Sequence, residues 1–290
     1  MRTAQPLVII RGGGELGSAI GHALQGAGFR ILVVDRPLPT ALRLGVAFAA
    51  VAVLPEGRTV VSGIEVVHAR TLDEVRAAWG LGQVAVWTAG DAWQALSPAV
   101  MVDARMRQLT EPMNLLPASN TGPIVLGIGP GFEVGRNAHY VLESNRGPNL
   151  GQVITRGGAE VHTGVPGEVQ GLREERILRA PCAGQIERCC ELGTFVEPGD
   201  QVASVNGAPV KAGLRGMVRG LKLGGVEVAS GHKIGDVDPR RDRALLGTMT
   251  DKAQALGRGA LRALALAGIP PQDHSKEDPE PAAEGATPCT

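Results

Sequence analysis

Several residue types and patterns are scarce in this 290-residue chain, and each scarcity narrows its function. Aromatic side chains make up 3% of residues, too few for the stacking platforms that hold single-stranded nucleic acid. Neither sign of charge is in excess, with 29 Lys plus Arg against 29 Asp plus Glu. No global field therefore steers the chain to nucleic acid or to an acidic membrane. No apolar run reaches transmembrane length. Residues Met1 to Pro6 carry one charged side chain and lead straight into a strand, so they do not read as a signal peptide. The six His (22, 68, 139, 162, 232 and 274) show no H-x-H or H-E-x-x-H spacing, and no C-x-x-C occurs, so no metal site is expected. The four Cys (182, 189, 190 and 289) form no spaced framework, which fits a reducing cytoplasm. A Tyr-x-x-x-Lys pair is missing, the single Tyr being Tyr140, and no Ser-His-Asp arrangement follows from spacing.

Glycine is abundant, at 41 residues, and its placement is informative. The apolar run Leu7 to Ile10 enters a cluster in which Gly12, Gly14 and Gly17 fit G-x-G-x-x-G. Glu15 to Gln25 reads as a helix. A second apolar strand then ends in Asp35, 18 positions beyond Gly17. This is the strand-loop-helix-strand context that a dinucleotide fingerprint requires. Gly12 suits a tight turn, Gly14 lets a phosphate approach the backbone, and Gly17 seats the helix on the strand. The first helical N–H groups favour an anion. The same loop also serves as a strand-to-helix turn that binds nothing, and fold alone does not fix function.

Strand and helix patterns alternate onward. Thr40 to Leu44 reads as a short helix and Val60 to Val67 as strand. Thr71 to Trp79 reads as a helix with a Thr71–Glu74 capping box, Val84 to Trp87 as strand, Asp91 to Leu96 as a brief helix, and Ala99 to Asp103 as strand. The alternation predicts a parallel, doubly wound sheet that binds ligands beyond its strands' carboxyl ends. The first glycine loop, Asp35 and Asp103 all fall there, although Asp103 equally suits a capping role. Past Ala104-Arg105-Met106-Arg107 and Asn120-Thr121-Gly122-Pro123, the strand Ile124 to Leu126 runs into Gly127-Ile-Gly129-Pro130-Gly131-Phe132. Pro130 removes a donor and no helix follows, so this second loop is a weaker phosphate cradle, with an anion nest and a plain turn both open. His139 to Glu143 and Gln152 to Thr155 read as strands around the polar turn at Arg146 and Asn149. His162 to Gly171 reads as a linker.

The second half carries an internal repeat. Leu178 to Gly184 matches Val210 to Gly216, and Val196 to Val202 matches Val228 to Ile234, at the same offset of 32 residues. Two such halves of short strands look like the barrel-sandwich hybrid of biotinyl and lipoyl domains. Carriers of that type attach their cofactor to a Lys at the tip, but the tip here reads Ser204-Val-Asn206-Gly207-Ala-Pro209, a hairpin turn without Lys. A docking or lid module fits better than a carrier. Gly235 to Arg243 suits either a solvated turn or phosphate recognition. Thr250 caps a helix running to about Ala267, Ile269-Pro-Pro ends it, and the acidic, Pro-rich residues after it read as disordered. The expected architecture is α/β. A Rossmann-like parallel sheet spans 1–122, a Gly-rich connecting segment 123–172 and an all-β barrel-sandwich hybrid domain 173–246. A C-terminal helix over 247–268 and a tail over 269–290 complete it.

The motifs together resemble the YqeB-type accessory proteins of the selenium-dependent molybdenum hydroxylase system. The matching stretches are Val8 to Gly14, Gly127 to Phe132, Glu143 to Gly147, Asn149 to Gly151, Thr163 to Gly167, Leu178 to Pro181 and Lys233 to Arg240. The resemblance implies a cytoplasmic maturation factor with a Rossmann part similar to the XdhC-type chaperones. Its partner would be a molybdenum hydroxylase client, and self-association into a homo-oligomer stays open. The cofactor it implies is the molybdenum cofactor (molybdopterin) or a nucleotide. The expected ligand residues are Gly12, Gly13, Gly14, Glu15, Gly17, Asp35, Asp103, Gly129, Gly131 and Arg146, with no catalytic residue assigned. Two positions depart from the family pattern: Glu15 stands for Asp, and Pro148 for His. Cys189-Cys190, beside Arg188, is the candidate for sulfur or selenium handling, with burial as a small apolar pair the plainer reading. Two other readings remain, an NAD-dependent oxidoreductase using Asp35 on the ribose and a non-catalytic scaffold.

Overall fold

Burial on both faces selects continuous apolar strands, and parallel pairing then needs helical crossovers. A computed structural model of the chain describes residues 5–106, 122–162 and 164–271. The run into the glycine loop is β1 (Leu7–Arg11), whose first four residues are buried. It is followed by α1 (Glu15–Gly26), β2 (Arg30–Val34), β3 (Arg58–Val61), β4 (Ile64–Ala69), α2 (Leu72–Gly80), β5 (Val84–Trp87) and β6 (Val100–Asp103). Next come β7 (Ile124–Ile128), β8 (Tyr140–Leu142) and β9 (Val153–Ile154). These strands form one sheet in the order β3-β4-β5-β2-β1-β6-β7-β8-β9.

From β4 to β8 every neighbouring pair is parallel. Both edges are antiparallel, through β3–β4 and β8–β9, so the sheet is mixed rather than wholly parallel. The reason at the first edge is local. Ser62 and Gly63 both take positive φ, 50° and 85°, which folds the Val60–Val67 run back as a two-residue hairpin.

The helix expected at Thr40–Leu44 is absent. The chain makes 3-10 turns at Leu44–Val46 and Phe48–Val53 instead. Its backbone bonds outward: the Phe48 N–H donates to Ser18 Oγ at 2.8 Å and the Ala49 N–H to the Gly13 carbonyl at 3.0 Å. Thr71 caps α2 by accepting from the Glu74 N–H, while the Glu74 carboxylate reaches back to the Arg70 N–H at 2.6 Å.

The second half contains β10 (Ile177–Arg179), β11 (Gly184–Arg188), β12 (Phe195–Val196), β13 (Gln201–Val205), β14 (Ala208–Lys211), β15 (Gly216–Leu221), β16 (Glu227–Val228) and β17 (Lys233–Asp238). They form two antiparallel sheets, β10-β17-β15-β12 and β14-β13-β11-β16. The 32-residue offset carries β10 to β14, β11 to β15, β12 to β16 and β13 to β17. Each strand's counterpart therefore lies in the opposite sheet, so the repeat is a two-fold relation between interleaved halves. Val202, Val205, Val218, Leu221, Ile234 and Val237 fill the space between the sheets.

The last helix, α3 (Asp251–Leu266), starts at a Thr250 cap and returns to the first half. Its buried Ala253, Leu256, Ala260, Ala263 and Leu264 belong to the same core as Val8, Ile20 and Leu24. A Cβ on Gly257 would lie 2.9 Å from the Ala19 carbonyl oxygen of α1, so small residues set this close helix contact. No helix among the described residues is long and apolar enough to cross a membrane. Arg107, Asn120, Thr121, Thr163, His274, Cys289 and most of the acidic tail lie outside the described residues.

Candidate functional site at the glycine-loop edge

β1, β6 and β7 are parallel neighbours, so their carboxyl ends bring three loops together. At the first, Gly12 has φ +100° and donates its N–H to the Val34 carbonyl at 2.9 Å. A Cβ on Gly13 would lie within 3.0 Å of Val33 and Ala49 side-chain atoms, and one on Gly17 would overlap the Gly12 carbonyl oxygen. These three glycines are required by the protein's own packing.

Gly14 is different. Its φ is −70°, which any residue adopts, and the nearest atom to a Cβ there is Ala41 Cβ at 3.8 Å. Gly14 is the N-cap of α1 and supplies no side-chain cap, whereas Thr71 and Thr250 cap α2 and α3. Among the described residues, then, no side chain caps the α1 N-terminus.

The acids expected at the site have protein partners. Asp35 accepts the Gly13 N–H on Oδ2 at 2.6 Å and the Arg36 N–H on Oδ1 at 2.7 Å. Asp103 is buried and is held by the Arg105 guanidinium in a two-point contact, with Arg11 Nη1 at 3.9 Å. It also accepts the Arg105 N–H at 3.2 Å, so the local turn-capping role is part of its work. Glu15 turns its carboxylate to buried Arg43 and to the Thr250 N–H at 2.7 Å. Arg43 continues to the carbonyls of Leu245 and Thr248, at 2.6 and 2.7 Å. This latch joins the first helix to the entry of the last one.

The segment after β6 bridges the two glycine loops. A Gly12 Cβ would sit 3.1 Å from Ala104 and Arg105 backbone atoms, and a Gly129 Cβ 3.5 Å from Met106 Cε. The second loop is filled by its own side chains. Gly129 and Gly131 have φ of +77° and +92°. A Cβ on Gly127 would overlap the Phe132 ring, and one on Gly129 the Ser144 hydroxyl. The Gly129 N–H is bonded to the Leu142 carbonyl, and the Gly131 carbonyl accepts from Asn137 Nδ2. The Ser144 hydroxyl is buried and has no hydrogen-bond partner among the described residues.

Arg146 points away from this loop. It pairs with both Asp251 oxygens, at 2.8 and 3.0 Å, and leans over Gly167. Its hydrogen bond holds the Asp251 carboxyl below the usual carboxylate range, against partial burial. The site also gathers residues that sequence reasoning missed. Lys252 is half-buried, and burial pushes its ammonium pKa down. Arg146 pushes the same way, while Glu143, Glu15 and Asp251 oppose. Glu143 is buried and accepts the Asn145 and Glu160 N–H groups. Glu143-Ser144-Asn145 stood out only as part of a motif stretch, and nothing local marks Lys252.

The thiols do not gather here. Cys182, Cys189 and Cys190 are free. Burial, then Cys189, pushes the Cys190 thiol up against the pull of Arg188, so Cys190 is a poor thiolate at neutral pH. Among the described residues no three His, Cys, Asp or Glu side chains gather as a metal set.

Sequence comparison bears on this arrangement. No family model matches the chain. It is 38% identical over 262 residues, 90% of its length, to the uncharacterized protein YqeB of Escherichia coli (strain K12). The chain spans about half of that relative, 47% of its length. Two solved structures align more distantly. One is an aspartoacylase family protein from Mesorhizobium loti, at 11% identity, covering 80% of this chain and 85% of that one with a TM-score of 0.24. The other is the ectoine utilization protein EutE (DoeB) from Ruegeria pomeroyi, at 12% identity, covering 81% and 85% with a TM-score of 0.23. At those scores neither carries an argument about this chain.

Proposed function

We propose that this chain is an accessory factor for a selenium-dependent molybdenum hydroxylase. It holds a phosphorylated cofactor, the molybdenum cofactor (molybdopterin) or a nucleotide, on the first glycine loop while it engages the client enzyme. The observation that carries the reading is the contrast within that loop. Gly12, Gly13 and Gly17 are needed by the chain itself, and no described residue makes Gly14 necessary. A Cβ-free position with no internal cause, at an uncapped helix N-terminus, suits a phosphate group approaching the backbone.

The residues present fit such a group. The α1 amides would hold the phosphate, with Arg11 and Arg105 at the adjoining edge. The strand order around β1 supports a Rossmann-like reading of the large sheet. The swapped 32-residue halves support a barrel-sandwich, biotinyl/lipoyl-like reading of the small domain. Its β13–β14 turn is Asn206-Gly207, with φ of 47° and 78°. It offers no amine for covalent attachment, so the small domain fits docking better than carriage.

The client and the selenium context rest on the resemblance of the motifs to YqeB-type proteins. The test is mass spectrometry of small molecules released from the purified chain, paired with hydroxylase assays in a deletion strain. A released phosphorylated pterin or nucleotide and lost hydroxylase activity are expected. Absence of any phosphorylated compound together with intact activity would sink the reading. A non-catalytic scaffold is the second reading, favoured by the internal partners of Asp35, Asp103 and Glu15. Under it, Gly14→Val leaves client maturation untouched.

A further inference from the structure

We propose that Lys222 and Arg36 form an anion subsite at the seam between the large sheet and the small domain. It takes a second phosphate group of the ligand that the first glycine loop holds, and to that extent it rests on the function proposed above.

Lys222 follows β15 and is only 8% exposed. Its stem is covered while its Nζ is not among the fully buried unpartnered atoms, so the ammonium sits at the solvent edge of a mostly buried side chain, where little water is left to compensate it. Yet among the described residues no carboxylate lies within salt-bridge distance of Lys222, and no side-chain acceptor is bonded to it. The buried acids of this face are already engaged. Asp238 is held by Arg219 and Arg240, and Asp236 by Arg176 and Lys233. The groups that do act on Lys222 are of the wrong sign to compensate it. Burial, then Arg36, pushes its pKa down, and Lys222 in turn adds to the burial that lowers His232. Arg36 and His232 are exposed, so a solvent-borne anion can reach between them.

The placement ties this cluster to the glycine loop. The Leu221 N–H donates to the Leu42 carbonyl at 2.9 Å, and a Cβ on Gly225 would lie 3.6 Å from Leu38 Cδ2. The stretch 36–42 is therefore laid along 220–225. The Arg36 N–H bonds Asp35, whose other oxygen holds the Gly13 N–H. One hydrogen-bonded path thus runs from the glycine loop to Arg36. A compact ammonium and a forked guanidinium on facing segments suit a phosphate dianion. The ligand class this favours carries two separated phosphate groups, as dinucleotides and nucleoside diphosphates do.

The test is calorimetric titration of the full chain with inorganic phosphate at constant ionic strength, comparing wild type, Lys222→Met, Arg36→Gln and Gly14→Val. Loss of a charge-assisted contact should weaken binding by about tenfold or more in Lys222→Met. A smaller loss is expected in the exposed Arg36→Gln, which also guards against a folding defect in the buried variant. Gly14→Val should keep the Lys222-dependent part of the binding while losing any phosphate held at the glycine loop. An unfolding scan in chloride buffer should show Lys222→Met at least as stable as wild type. Equal phosphate affinity in wild type and both cation variants would overturn the subsite, as would no binding to wild type. Binding lost in Gly14→Val but kept in Lys222→Met would also overturn it, while leaving the glycine-loop reading intact. Binding that depends on Lys222, in a chain that yields no phosphorylated compound, would keep the subsite and remove the glycine-loop reading.

Discussion

Two glycine-rich loops leave parallel strands of one sheet at the same edge, and they use glycine for opposite ends. The loop after β7 is closed by its own residues: the Phe132 ring lies under Gly127 and the Ser144 hydroxyl against Gly129. The loop after β1 keeps one position, Gly14, where an added Cβ would meet nothing among the described residues nearer than Ala41 Cβ at 3.8 Å. Glycine at the second loop makes room for protein, and at Gly14 no described residue takes up that room. Counting glycines cannot separate the two cases, because both match a strand followed by a glycine cluster. What separates them is which atom would meet an added Cβ.

Substitutions can break or sharpen this contrast. The largest loss is expected at Gly17→Ala, where the new methyl meets a backbone carbonyl that cannot rotate away. A cost of about 3 kcal/mol or more, or no folded protein, should appear in urea unfolding. Arg43→Ala should come next. It leaves Glu15 partly buried without its partner and frees two carbonyls, and a loss of about 3 kcal/mol is expected by the same measurement.

Gly127→Ala should cost about 1–3 kcal/mol, and less in a Phe132→Ala background, which removes the Cγ and Cδ1 that the new methyl would meet. A double-mutant cycle reads that coupling, and strict additivity would contradict the packing role. Gly14→Ala should cost less than about 1 kcal/mol while reducing any copurifying phosphorylated compound. A large stability loss there would erase the contrast between the loops.

The smallest effect is expected at the exposed Arg146–Asp251 pair, where Arg146→Ala should cost below about 1 kcal/mol. Its pH dependence has a definite sign. Arg146 depresses the folded Asp251 pKa, so the pair stabilises above the unfolded carboxyl pKa and that contribution fades as pH falls through the folded value. Unfolding of Arg146→Ala should therefore lose part of its acid sensitivity, and an unchanged acid limb would contradict the assignment.

The parts legible in the sequence are those set by local chemistry. The β1–loop–α1–β2 unit is legible because glycine spacing and apolar runs are local. So is the Thr71 cap, and so is the 32-residue repeat, although its swap between sheets is not. The β3–β4 hairpin carried a readable signal in Ser62-Gly63, whose joint positive φ fits a tight turn. Arg43, Lys222 and Lys252 carried none. Their importance comes from partners far along the chain, and an isolated basic residue in a sequence looks like a solvated one. The return of α3 to α1 was hidden for the same reason, since an amphipathic helix advertises a face and not its mate.

That return has a consequence in time. More than 200 residues separate the end of α1 at Gly26 from the start of α3 at Asp251. At ~5–20 residues per second, a ribosome needs roughly ten seconds or more to deliver the cover for α1. Throughout that interval the face around Ala19 and Ala23, which Gly257 later meets, has no partner from its own chain. The nascent first half is thus the stage at which this molecule most needs a holding chaperone or a rapidly docking neighbour.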